Sequence, residues 1–145
     1  MKKFIFLFVA LLGIASISQG QVFNLLNPLS PYATSDTVTN TGTAYLTSAL
    51  VSPAPAVTST IWVAVTKISG TVGGTITLQG SLDGTNFKAA YALNTATALA
   101  AFTATDASNT YHWVISGSPY RYYRVSWTGT GTMSASFTSQ LFRSK

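Results

Sequence analysis

The sequence predicts an all-β fold, an antiparallel β-sandwich of about eight strands. Three observations lead there. From Asp36 onward apolar and polar residues alternate with period two, the signature of strands that bury one face. The alternating runs are rich in Thr, Val and aromatic residues, which suit a pleated surface. Clusters of Gly, Asp, Asn and Pro break them at fairly even intervals.

Taken in order, Thr37 to Leu46 reads as the first strand, with Val38 and Tyr45 among threonines, and Ser52-Pro53-Ala54-Pro55 then breaks the chain. Thr58 to Ile68 is the strongest strand: Ile61, Val63 and Val65 share one face, and Trp62, Ala64 and Thr66 share the other. Gly70 to Gly74 is a turn. Thr75 to Leu82 follows, with Ile76 and Leu78 on its buried side, and Asp83-Gly84-Thr85-Asn86 turns the chain. Asp83 can bond its own backbone and Gly84 accepts positive φ, so the pair reads as a structural hairpin turn. Phe87 to Leu93 is a shorter strand, whose Phe87 is expected to plug the core beside Leu78. Ala96 to Ala104 is Ala-rich, as a helix would be, but Thr95, Thr97, Phe102 and Thr103 favour a strand. Asp106 to Asn109 and Gly117-Ser118-Pro119 are turns that bracket a strand from Thr110 to Ile115. Tyr120 to Thr128 is the seventh strand: Tyr123, Val125 and Trp127 face one way, and Tyr120, Tyr122, Arg124 and Ser126 the other. Gly129-Thr130-Gly131 leads into the last, Thr132 to Phe142.

The N-terminus reads as an export signal. Lys2 and Lys3 precede an almost unbroken apolar stretch, Phe4 to Ile17, and Ser18 and Gly20 are small residues before Gln21. The apolar stretch is shorter than the roughly 20 residues of a spanning helix, so a cleaved signal peptide is expected over 1–20 and no retained membrane span. Residues 21–35, with Pro28 and Pro31, form an extended lead-in, and residues 36–145 form one domain. The expected location is secreted, periplasmic or at the cell surface, with a virion as a further setting. The chain has no Cys, so the domain relies on its core without disulfides.

Charge is scarce. The formal net charge is +5, and removing Lys2 and Lys3 with the signal leaves +3. The remaining cations, Lys67, Lys88, Arg121, Arg124, Arg143 and Lys145, form no dense patch, so specific nucleic-acid binding is not expected. A Thr/Ser surface with few charges resists self-association poorly. Self-association or incorporation into a larger surface assembly is therefore the expected partnership.

The same poverty limits chemistry. The acidic residues are three Asp (Asp36, Asp83 and Asp106), there is no Glu, and His112 is the single His. Most catalytic and metal sites are built from these residue types, so no enzyme activity, cofactor or metal is expected. His112, between Tyr111 and Trp113, reads as an ordinary strand residue. Asp83 with Asn86 could hold a cation, but the hairpin turn is the simpler reading. Ser residues lack the Gly-x-Ser-x-Gly setting of a hydrolase nucleophile, and the Gly-rich Gly70 to Gly74 opens no helix, so it is no phosphate cradle. The aromatic set Trp62, Tyr111, Trp113, Tyr120, Tyr122 and Trp127 admits two readings, core packing or an exposed platform for sugar rings. Trp62, Tyr120 and Tyr122 are the candidate ligand contacts on the second reading.

Two segments carry a resemblance. Gly80-Ser81-Leu82-Asp83-Gly84-Thr85-Asn86-Phe87, with the later Arg121-Tyr122-Tyr123-Arg124-Val125, resembles the discoidin-like jelly-roll modules, which include many carbohydrate-binding modules. The pairing is also similar to small β-sandwich proteins encoded by bacteriophages and prophages. The similar region runs from about Thr58 to Leu141 and consists mainly of turn and core residues. It implies a jelly-roll-like sandwich. Acidic loop residues that commonly hold calcium in the discoidin-like group are absent here, so no calcium is carried over. The expected function is a non-catalytic structural or adhesive surface module, such as a virion or appendage component, with carbohydrate binding through exposed aromatics as the alternative.

Overall fold

A computed structural model of the chain describes residues 27–28, 35–48, 50–51, 58–117 and 119–144. The expected signal peptide and most of the lead-in lie outside the described residues. The strands are β1 (Asn27–Pro28), β2 (Ser35–Thr39), β3 (Thr43–Thr47), β4 (Thr58–Gly70), β5 (Gly74–Ser81), β6 (Lys88–Ala89), β7 (Phe102–Thr103), β8 (Asn109–Ser116), β9 (Tyr122–Gly129) and β10 (Met133–Ser144). No helix occurs among the described residues.

The described strands form two antiparallel sheets of five. In the first, β4 lies between β8 and β10, and both β2 and β1 line the far side of β10. In the second, β9 lies between β3 and β5, and the short β6 and β7 share the far side of β5. The connections from β2 through to β5 and from β7 through to β10 each cross to the other sheet. The two sheets therefore pack face to face over one shared apolar core.

Period-two alternation builds that core. On β4, Ile61, Val63 and Val65 are buried while Trp62 and Ala64 are half-buried and Thr66 is exposed. On β9, Tyr123, Val125 and Trp127 are fully buried, and Tyr122 and Arg124 take the opposite face. Trp127 meets Phe137 of β10 edge-on, with ring centroids 5.5 Å apart, and its indole N–H donates to the Gly73 carbonyl at 3.3 Å. Edge-to-face geometry suits the ring quadrupoles. At the side of the fold, Phe102 of β7 lies 4.8 Å from Trp113 and 5.2 Å from Tyr111, both on β8.

Several expectations need correction. The single strand expected over Thr37 to Leu46 is two, β2 and β3, one in each sheet. Asn40 between them takes a positive φ of 52°, and its side chain accepts from the Met133 N–H at 3.3 Å. Asn tolerates the left-handed region better than most residues. The strand expected over Phe87 to Leu93 shrinks to Lys88–Ala89. The one expected over Ala96 to Ala104 shrinks to Phe102–Thr103, and the rest is neither strand nor helix. A few backbone bonds hold this segment, from the Leu99 N–H to the Ala90 carbonyl at 2.7 Å and from the Ala104 N–H to the Gly74 carbonyl at 2.9 Å. Side chains of β8 fasten it further: the Trp113 indole N–H donates to the Ala100 carbonyl at 2.8 Å, and the Tyr111 hydroxyl accepts from the Thr105 N–H at 3.1 Å.

Phe87 does not plug the core. It is half-buried beneath the Arg124 guanidinium, and Ala90 takes the buried position. Tyr120 also leaves its expected face. Its ring lies across Gly80, where an added Cβ would come within 2.4 Å of a ring carbon, and it packs edge-on against Tyr123. On β4 a bulge leaves Ile68 without a partner, because Ser69 pairs with Ser134 and Lys67 with Ala135. The Lys67 ammonium then reaches the Asp106 carboxylate at 2.6 Å, tying the β7–β8 turn to the end of β4.

Trp127→Ala removes the ring that meets Phe137 across the core and is expected to cost on the order of 3–5 kcal/mol. Tyr122→Ala, on the half-open face, should cost clearly less. Urea denaturation of the two variants checks this, and equal losses would mean that both faces of β9 are covered.

Candidate functional site

The outward faces of the two sheets differ in chemistry. On the second sheet, period-two register sets four threonines side by side: Thr43, Thr128, Thr75 and Thr103. The hydroxyls of Thr43 and Thr128 are 3.0 Å apart. Further along the same face, Arg124 pairs with Thr47 on one side and Gln79 on the other. Its guanidinium lies 4.5 Å from the centroid of the Tyr45 ring and 4.2 Å from that of Phe87. Its Nε donates to the Gln79 side-chain carbonyl at 2.7 Å. Two aromatic faces and one hydrogen bond fix the orientation of the cation. Tyr45 is 48% exposed, so the shelf opens to solvent.

The Asp83 turn borders this shelf, because the Tyr122 ring packs over Gly84. Gly84 has a φ of 77°, a conformation suited to glycine. The Asp83 carboxylate accepts from the Ser81 hydroxyl at 2.8 Å, the N–H groups of Thr85 and Asn86 at 2.9 and 2.8 Å, and the Asn86 amide at 2.7 Å. The Asn86 bonds, followed by those from Thr85 and Ser81, hold its pKa far below the ordinary carboxylate range. The carboxylate is thus occupied by donors of its own turn, which favours the hairpin role over the cation site. Asp106 is also shifted down, first by the Lys67 ammonium and then by the Val72 N–H.

Among the described residues, the outward face of the first sheet carries no aromatic–cation stack. Gln140, Trp62 and His112 form one cross-strand row, and Phe142, Thr60 and Val114 form the next. Val114 is 57% exposed. Among the described residues β8 pairs only with β4, so its other side is a sheet edge.

The three candidate sugar-contact aromatics are not brought together. Trp62 lies on the outward face of the first sheet and Tyr122 on that of the second. Tyr120 packs against the core, and its hydroxyl accepts from the Tyr91 N–H at 3.1 Å. Of the remaining aromatic set, Tyr111, Trp113 and Trp127 are buried. Sequence reasoning missed Tyr45, Phe87 and Gln79 as neighbours of Arg124. The alternation on each strand was visible, but the order of strands that sets β3, β9 and β5 side by side was not. Among the described residues, no group of three or more His, Cys, Asp or Glu side chains could hold a metal ion.

No protein-family model matches the chain, and no curated protein matches it in sequence. Among solved structures, it is similar to the enzymatically active domain of tailspike protein 4 from bacteriophage CBA120, with 9% identity and a TM-score of 0.46. That match covers 76% of this chain and only 15% of the tailspike chain. It is also similar to a structure titled Family 16 Carbohydrate Binding Module-2, with 13% identity and a TM-score of 0.39, over 75% of this chain and 74% of that one. Likeness at this level carries no argument about activity or ligand.

Two outcomes follow from the Asp83 turn. Gly84→Val should destabilise the fold by at least about 1 kcal/mol, because a β-branched residue is strained at positive φ; an unchanged melting temperature would remove the turn from the structure. The pH dependence has a defined sign. A carboxylate whose folded pKa is depressed contributes stability above its unfolded pKa of about 4, and that contribution is lost as pH falls toward the folded value. Asp83→Asn should therefore flatten the acid limb of the stability profile below about pH 4 while leaving its shape at neutral pH unchanged. Thermal melts across pH provide the comparison.

Proposed function

We propose that the chain is an exported, non-catalytic β-sandwich of the jelly-roll kind that serves as a structural or adhesive surface module, joining copies of itself through β8. The observation that carries the reading is the edge formed by β8 among the described residues. Exposed strand edges are normally blunted by charge, proline or bulges, or covered. Asn109 to Ser116 contains no Lys, Arg, Asp, Glu, Pro or Gly, and its pairing with β4 runs without a bulge. Thr110, His112, Val114 and Ser116 present an exposed outward face without Lys, Arg, Asp or Glu beside that edge.

An antiparallel pairing of β8 with its own copy is two-fold symmetric, so it closes as a dimer and continues the first sheet across both copies. Such edge pairing suits a virion or appendage component. The non-catalytic part of the proposal draws on the scarcity of acid–base groups and on the engagement of Asp83 and Asp106 in turn and salt-bridge contacts. The export part draws on the Lys2-Lys3 and Phe4 to Ile17 leader pattern. Glycan binding by Trp62, Tyr120 and Tyr122 as one platform has less support, since they occupy separate parts of the fold.

Light scattering of the protein without residues 1–20, across concentration, tests the proposal. Self-association is expected, and Val114→Lys should shift it to monomer with little change in melting temperature, because a Lys beside an edge opposes strand pairing. A strictly monomeric parent protein would overturn the reading.

A further inference from the structure

We propose that the Arg124 shelf on the second sheet is a binding site for an acidic glycan, with Arg124 taking the carboxylate of a uronate unit. The guanidinium carbon lies over the rings of Tyr45 and Phe87, and among the described residues its committed donor is Nε, to Gln79. The other four of its five N–H donors sit on the two terminal nitrogens, in the fork geometry that matches a carboxylate. No carboxylate among the described residues supplies that partner. Lys67 and Asp106 form the ion pair found among those residues, and Asp83 is occupied within its own turn. The charge on this face is thus oriented in advance and complementary to an anion from outside, which lowers the ordering cost of binding.

The surroundings favour a sugar acid over an acidic peptide. Arg124 is flanked by the exposed ring of Tyr45, a surface on which the C–H face of a sugar ring can lie. Thr43, Thr75 and Thr128 continue the face as a band of neutral hydroxyls, able both to donate to and accept from sugar hydroxyls. The site lies on the sheet opposite β8, so it is independent of the proposed assembly through that edge.

Isothermal titration calorimetry with a short oligogalacturonate, its methyl ester and a polyglutamate peptide tests the assignment. The oligogalacturonate is expected to bind, with affinity falling as salt rises. Masking its carboxylates as methyl esters should weaken binding by at least about tenfold. Arg124→Lys keeps the charge but loses the fork and should also weaken binding by about tenfold. Tyr45→Ala, at an exposed position outside the core, gives a second variant whose fold is checked by its melting curve, and it too should lose affinity. Val114→Lys should bind as the parent does, so failure of the assembly proposal would leave this result standing. Absence of binding to the oligogalacturonate, equal binding of the methyl ester, an affinity unchanged by both Arg124→Lys and Tyr45→Ala, or binding of polyglutamate as tight as that of the sugar acid would each overturn it.

Discussion

Everything else in the fold is placed relative to Trp127. Its side chain fills the space between the sheets, touches Phe137 on the opposite layer and donates to the Gly73 carbonyl in the connection that carries the chain from β4 to β5. A residue so large and so fully buried leaves β9 little freedom to slip, because a shift of one position would carry every core side chain to the solvent side. With that register set, Tyr123 and Val125 must point inward and Tyr122 and Arg124 outward. The position of the only arginine–aromatic stack among the described residues is therefore a consequence of where one tryptophan sits in the core.

How much of this was legible depended on whether a residue's role was decided within its own strand. The alternation on β4, β5, β8 and β9 could be read directly, since burial of one face imposes period two on the sequence. The Asp83-Gly84 turn was legible because its bonds are local. Phe87 was not, because its place beneath Arg124 depends on a strand far along the chain. The division of Thr37 to Leu46 rests on a single Asn at positive φ, a weak signal among threonines. The stretch from Ala96 to Ala104 was misread because Trp113 and Tyr111 hold it from the side, and no local pattern records such bonds.

The two outward faces divide the little chemistry this chain has. The first sheet ends at β8, which among the described residues pairs only with β4 and carries no Lys, Arg, Asp or Glu. The second holds one oriented cation, Arg124, among hydroxyls and rings. Few charged residues make such a division readable, since an isolated cation on a neutral surface is not masked by neighbouring ion pairs. The Lys67–Asp106 pair lies elsewhere and serves to pin the β7–β8 turn to the end of β4.

The position of β10 at the centre of the first sheet has a consequence for the order of folding. It is the last of the described strands in chain order, yet β1, β2 and β4 all hydrogen-bond to it. Until it arrives, β2 has no neighbour in its own sheet among the described residues, and Phe137 cannot close over Trp127. Contacts between segments so distant in sequence form slowly, because the entropy of closing the intervening loops must be offset before they are rewarded. A chain emerging from the ribosome would therefore keep the first sheet open until Met133–Ser144 has been made, so the two layers close in one late step rather than strand by strand.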